Sequence, residues 1–284
     1  MCPDMNRSAP PRGRYAPSPT GALHLGNLRT ALLAWLFARA AGGTFILRIE
    51  DLDLPRIRLG AAAAMLADIR WLGLDWDEGP DAGGTLGPYV QSARHDLYLA
   101  ALSRLRDRDL LYPCYCTRAE LAHIASAPHG ENATPRYPGT CRALTARQRR
   151  QREATGRQPS LRFRTPDSSI TFVDALAGPQ SANVAEDVGD FVVRRSDGII
   201  AYQLAVVVDD ALMGVTQVVR GADLLDSTAR QLALYDALGF PRPREMAHVP
   251  LALDTNGARL AKRHDAAGVA ALRQHGYTPA RVLG

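Results

Sequence analysis

Residues 13 to 53 hold the tightest constraint on the fold. Gly13-Arg14-Tyr15-Ala16 reads as a short strand, and PSPTGALHLGN (17–27) as an elbow dense in Pro and Gly. In the apolar stretch that follows, Leu28, Ala31, Leu32, Trp35 and Leu36 fall at i, i+3, i+4, i+7 and i+8, the spacing of an amphipathic helix. Gly42-Gly43 would close that helix as a C-cap, and TFILRIEDLD then reads as a strand with Glu50 and Asp51 at its end. Strand, helix and strand in so short a span make a βαβ unit, which demands a parallel sheet. An α/β fold is expected.

Pro and Gly can simply punctuate the chain between two elements. An elbow opening onto a helix N-terminus also leaves room for a phosphate chain, because the first N–H groups and the helix dipole favour an anion there. His24 and Asn27 lie where they could donate hydrogen bonds to phosphate oxygens, while Gly21 and Gly26 would let a ligand approach the backbone.

Two further helices are expected at 55–72 and 91–109, separated by the turn-rich DWDEGPDAGGTLGP. From 112 the character changes: cysteines, prolines and a capping box at Thr117 and Glu120 precede a basic stretch with Arg142, Arg147, Arg149, Arg150, Arg152 and Arg157. SLRFRT and ITFVDA read as strands. The α/β pattern resumes with FVVRRSDGIIAYQLAVVVDDA, in which Asp197-Gly198 signals a hairpin turn. VTQVVRG is a buried strand, Thr228 to Leu238 a helix closed by Gly239, and a last helix spans 266–275. The chain thus divides into 1–111 and 189–245 as two halves of one domain, 112–188 as an insertion, and 246–284 as a basic loop and tail.

The 284 residues suffice for one or two domains with a real core. No apolar run reaches the roughly 20 residues that span a bilayer. MCPDMNRSAPPRGR lacks the apolar core of a secretory signal, so no membrane association and a cytoplasmic address are expected. A net charge of +5 suits an anionic partner such as nucleic acid. Four cysteines are too few for a disulfide framework. Cys114, Cys116 and Cys141 cluster apart from Cys2, and clustered thiols in a reducing compartment point to a metal, with zinc preferring four tetrahedral ligands. Chemistry alone would nominate His129 or His123 as the fourth.

PSPTGALHLGN resembles the "HIGH" signature of class I aminoacyl-tRNA synthetases, and RYAPSPTGALHLGNLRTAL with RIEDLD resembles the glutamyl branch of that class. The resemblance runs from Arg14 to about Lys262. It implies a Rossmann-like class I synthetase catalytic domain with a small zinc-bearing insertion that contacts tRNA. It also implies an ATP site, the nucleotide bound with magnesium, at His24, Gly26, Asn27 and Lys262. Of these, His24, Asn27 and Lys262 would take the catalytic roles.

A free amino acid with a carboxylate side chain needs guanidiniums for its carboxylates and an acid for its ammonium. Arg14, Glu50 and Arg220 stand at strand ends, where open α/β sheets bind ligands. The resemblance carries L-glutamate binding onto Arg14, Ser18, Glu50, Tyr202 and Arg220, and leaves open which arginine takes which carboxylate. It places the fourth zinc ligand on Tyr137. Asp209-Asp210 reads as a loop or helix end rather than a metal pair.

Arg259-Leu260-Ala261-Lys262-Arg263 resembles the "KMSKS" loop, with Lys262 at the second lysine. Arg259 replaces the first lysine and Ala261 the serine, so one hydroxyl donor is lost while the key cation stays. With so few residues after Lys262, no helical anticodon-binding domain is expected. That combination resembles truncated members of the glutamyl branch, which activate glutamate with ATP and attach it to queuosine in the anticodon loop of tRNA(Asp). The tRNA(Asp) anticodon stem-loop is then the expected partner, held by the insertion and its arginines, and the protein is expected to be a monomer. Charging of a tRNA terminal adenosine, a different ATP-using nucleotidyltransferase and a non-catalytic RNA-binding paralogue are the competing readings.

Overall fold

In the computed structural model the described residues are 9–117, 119–121, 136–253 and 268–283. β1 (Arg12–Tyr15), α1 (Leu25–Ala40) and β2 (Thr44–Leu47) form the βαβ unit expected from the sequence. Only the start of TFILRIEDLD is strand. Beyond it the chain stays tied to the exit of β1, with the Arg48 N–H donating to the Tyr15 carbonyl at 3.0 Å and the Glu50 N–H to that of Pro17 at 3.0 Å. These bonds hold Glu50 beside the elbow.

The helical stretch expected at 55–72 is split, whereas the one expected at 91–109 is continuous and opens with a 3-10 turn. A 3-10 turn, Leu54–Arg56, precedes α2 (Ala61–Trp71), and another, Gln91–Arg94, precedes α3 (His95–Asp107). Gly60 accounts for the break, since its φ of 75° lies outside the helical region. Then follow β3 (Leu111–Cys114), α4 (Ala146–Glu153), β4 (Ser160–Phe163), β5 (Ser169–Asp174), β6 (Gly178–Asn183) and β7 (Phe191–Arg194). The chain continues through α5 (Tyr202–Leu212), β8 (Gln217–Gly221), α6 (Leu225–Leu238), β9 (Glu245–Val249) and α7 (Val269–Gln274).

The central sheet runs β2-β1-β8-β9 with all pairings parallel. An antiparallel sheet β3-β4-β7 joins the stretch read as an insertion to the residues after it, and β5-β6 is a separate hairpin. α1 buries Leu28, Ala31, Ala34 and Ala38, whereas Leu36, expected on the buried face, is 43% exposed. The helix is apolar on nearly every side, so periodicity misjudged its rotation. Small residues decide it: a Cβ on Gly13 of β1 would lie 3.0 Å from Ala38 Cβ, so only an alanine face packs this close.

The Asp197-Gly198 turn forms, with Gly198 at φ 88° and the Arg195 N–H donating to the Ile199 carbonyl at 2.8 Å. Its return arm makes one bridge, Arg194 to Ile200, before the chain enters α5. Thr117 and Glu120 form the expected capping box. Among the described residues no helix is long and apolar enough to cross a membrane.

Candidate active site

β1 touches β2 on one side and β8 on the other, so the strand order reverses there, and in open α/β sheets ligands bind at such a point beyond the C-terminal strand ends. The β1–β8 ladder is short, with Gly13 opposite Gln217. Past it, the Arg14 guanidinium spans the gap and donates to the Val219 carbonyl at 3.3 Å. A cavity of about 580 Å³ opens above, and Arg14, Ser18, His24, Gly26, Asn27, Glu50, Tyr202 and Arg220 all line it. Its size is that of a small-ligand site. Lys262 and the loop around it lie outside the described residues.

His24 is the N-cap of α1, where its Nδ1 accepts from the Asn27 N–H at 3.3 Å. In the neutral ring this puts the proton on Nε2, the nitrogen a phosphate oxygen would need. Gly26 leaves the ring its room, since a Cβ there would come within 3.1 Å of His24 Nδ1 and the ring would have to shift. Arg29 secures the helix start to the far wall by donating to the Pro250 carbonyl at 2.7 Å.

Beneath the cavity lies a buried lattice of charge. Asp210 accepts from Arg14 Nε at 3.1 Å and Arg48 Nη1 at 2.7 Å, while Arg48 Nη2 donates to Glu50 Oε1 at 3.0 Å. Asp209 accepts from Arg94 Nε at 2.6 Å, Gln91 Nε2 at 2.7 Å and the Tyr98 hydroxyl at 2.9 Å. Burial opposes ionisation of Asp210, but Arg14 and Arg48 outweigh it and hold its carboxyl below the ordinary range. Burial dominates at Glu50, whose carboxyl is lifted above its usual value against the pull of Arg48. Arg14, Arg48 and Arg94 are thus balanced by Asp209, Asp210 and Glu50.

Arg220 is different. It is 5% exposed and donates to Gln231 Oε1 at 2.7 Å, Thr228 Oγ1 at 2.9 Å and His248 Nε2 at 2.9 Å, all uncharged acceptors. A buried guanidinium with neutral partners is suited to receive a carboxylate from a ligand. Burial first, and then the charge of Arg14, lower its affinity for a proton.

The cysteine cluster also forms. The Sγ atoms of Cys114, Cys116 and Cys141 lie within 4.8 Å of one another, Cys116 and Cys141 being 3.7 Å apart. With Zn–S near ~2.3 Å, two sulfurs of a zinc tetrahedron sit about 3.8 Å apart, so the spacing fits the ion. The Tyr137 hydroxyl is 3.4 Å from Cys114 Sγ, in reach as a fourth donor, and it accepts from the Cys141 N–H at 2.9 Å. Hydrogen bonding from Cys141 pushes the Cys114 thiol down to about 4, while burial and the charge on Cys114 keep Cys116 high. A dication would let all three ionise together. His123 and His129 lie outside the described residues. Nearby, α4 begins at a capping box between Thr145 and Gln148 and exposes Arg147, Arg150 and Arg152.

Sequence reasoning missed Arg48, Arg94, Asp174 and His248. Arg48 sits two residues before Glu50 in RIED, a charged residue inside a strand-like apolar run, and that was the available signal. Asp209-Asp210 does end a helix, as expected, but as the anchor of three arginines.

Residues 12–283 match the family described as tRNA synthetases class I (E and Q), catalytic domain. A glutamyl-Q tRNA(Asp) synthetase of Symbiobacterium thermophilum is 62% identical over 273 residues, covering 96% of this chain and 84% of that protein. A glutamate–tRNA ligase 2 of Alkalilimnicola ehrlichii is 48% identical over 95% of this chain, which spans only 56% of that ligase. Among solved structures, a glutamate tRNA ligase from Elizabethkingia meningosepticum in complex with its amino acid superposes with a TM-score of 0.82 at 34% identity, covering 95% of this chain and 59% of that one.

Proposed function

Since the chain belongs to the class I (E and Q) tRNA synthetase catalytic-domain family, and is an ATP-dependent ligase of that family, we propose that it activates L-glutamate and transfers it to queuosine in the anticodon loop of tRNA(Asp). One observation carries the reading of the chemistry: a cavity is lined by the His24 elbow and by the buried Arg220, which has no carboxylate hydrogen-bond partner among the described residues. In the first step a glutamate α-carboxylate oxygen attacks the α-phosphorus of ATP, forming the adenylate and releasing pyrophosphate. His24 and Asn27 hold the phosphates at the start of α1, Gly26 leaves them room, and Lys262 meets the charge on pyrophosphate. Arg14 and Arg220 take the carboxylates, Glu50 the ammonium, and Ser18 and Tyr202 complete the pocket with hydroxyls.

In the second step a hydroxyl of the queuosine cyclopentenediol attacks the acyl carbon, forming the ester and releasing AMP. The relatives named glutamyl-Q tRNA(Asp) synthetase support this acceptor. Cys114, Cys116, Cys141 and Tyr137 would hold a zinc ion that braces the segment bearing α4, whose exposed arginines face the anticodon stem-loop. Such contacts weaken steeply as salt rises. Ester formation on a terminal adenosine is the second reading, supported by the glutamate–tRNA ligase relatives.

Glutamate-dependent exchange of pyrophosphate into ATP tests the first step. Exchange with glutamate and not with glutamine or aspartate is expected, and Lys262→Ala should raise the barrier by roughly 2–4 kcal/mol. No exchange would leave an RNA-binding protein without synthetase activity, and exchange without glutamate would leave another nucleotidyltransferase.

A further inference from the structure

Arg220, which makes no hydrogen bond to a carboxylate among the described residues, is held by a chain of groups that reaches outside the central sheet. Arg220 on β8 is in register with His248 on β9. Because Arg220 Nε donates to His248 Nε2, that nitrogen bears no proton, and Nδ1 is the donor to Asp174 Oδ2 at 2.6 Å. Asp174 ends β5, in the hairpin that packs against β9 through the Ala175 N–H and the Met246 carbonyl at 2.8 Å. Its other oxygen accepts from the N–H groups of Leu176 at 3.0 Å, Ala177 at 2.8 Å and His248 at 3.2 Å. The carboxylate is saturated with donors and cannot turn. Asp174, His248 and Arg220 are all at least nine-tenths buried.

We propose that Asp174 and His248 are positioning residues for glutamate binding: His248, fixed by Asp174, aims the Arg220 guanidinium into the pocket without cancelling its charge. This rests on the glutamate reading above. A carboxylate directly on Arg220 would fix it equally well but would compete with the ligand for the same cation. An imidazole lone pair fixes Nε and leaves the charge on the terminal nitrogens, where Gln231 and Thr228 set only the plane of the group. Asp174 holds the ring in the tautomer and rotation this requires, much as any supporting shell preorganises a binding group. The hairpin carrying Asp174 is thereby coupled to amino-acid affinity.

Substitutions at His248 separate aiming from packing. In His248→Gln the amide reaches the place of Nε2 and can accept from Arg220, whereas in His248→Asn it reaches only the place of Nδ1 and can bond only Asp174. Glutamate KM and kcat are read from pyrophosphate exchange, and glutamate affinity from calorimetry on the same preparations. His248→Gln should stay within about threefold of the parent KM, and His248→Asn should raise it about tenfold or more with kcat and ATP KM little changed, the loss of one good hydrogen bond. Asp174→Asn should shift glutamate KM in the same direction by less. Equal KM in the Gln and Asn variants, or a loss confined to kcat, overturns the positioning role while leaving glutamate activation standing. A parent protein that neither binds glutamate nor exchanges overturns both.

Discussion

Arg14 Nε lies 3.1 Å from Asp210 Oδ2 with both side chains only 4% exposed, and Asp210 is shared with the fully buried Arg48. An arginine expected to meet substrate is therefore bound, from below, to an acid at the end of α5, while Arg48 passes the same alignment on to Glu50. The pocket wall and the core are one network.

Removing the shared charge should be felt in stability first. Asp210→Asn keeps the shape but leaves two buried guanidiniums short of their counter-ion, and should cost about 3–5 kcal/mol. Urea unfolding of parent and variant measures it. A loss under about 1 kcal/mol would mean that the lattice relaxes or hydrates, as exposed pairs do.

Acid should weaken the fold through His248. Burial lowers its proton affinity below the ordinary value, although Asp174 pulls the other way. Below about pH 6.5 the unfolded chain takes up this proton more readily than the folded one, so stability falls with pH down to the folded pKa, by up to about 1.4 kcal/mol per unit. Asp174 is opposed by burial yet held low by the Ala177 and His248 donors, so its contribution is present above the ordinary carboxylate range and lost only at lower pH. Unfolding free energies between pH 7 and 5 should decline less in His248→Gln than in the parent. Identical slopes would show that His248 binds its proton equally well in the folded and the unfolded chain.

The thiol cluster predicts one zinc per chain. Elemental analysis of protein prepared without chelator should find it, and Cys141→Ser should lose it and melt at a lower temperature. The metal-free protein should still bind ATP, because β3 and β4 lie outside the parallel sheet. Zinc-free parent protein would reduce the cluster to three free thiols.

The elbow and the βαβ unit could be read because their signals are local: Pro and Gly punctuation, helical spacing, and charge at a strand end. The lattice could not. Asp210 is 196 residues from Arg14 and 162 from Arg48, and no spacing in the sequence announces such partners. α5 was equally obscure, since Val206, Val207 and Val208 favour strands in isolation and become helical only because tertiary packing buries them all. GPQSAN of β6 lacks apolar alternation, and only its pairing with ITFVD reveals a strand. The elbow proposed to take an anion was legible because backbone makes it, and its support was not because distant side chains do.

The acceptor is the central claim, and labelled glutamate measures it directly. Purified protein, ATP and labelled glutamate are incubated with two preparations of tRNA(Asp), one bearing queuosine and one guanosine at the wobble position. Label should enter only the queuosine preparation, should be abolished when periodate oxidises the queuosine diol, and should survive blocking of the terminal ribose alone. Equal labelling of both preparations, or label recovered on the terminal adenosine, would contradict the account and make the protein an ordinary charging enzyme for glutamate.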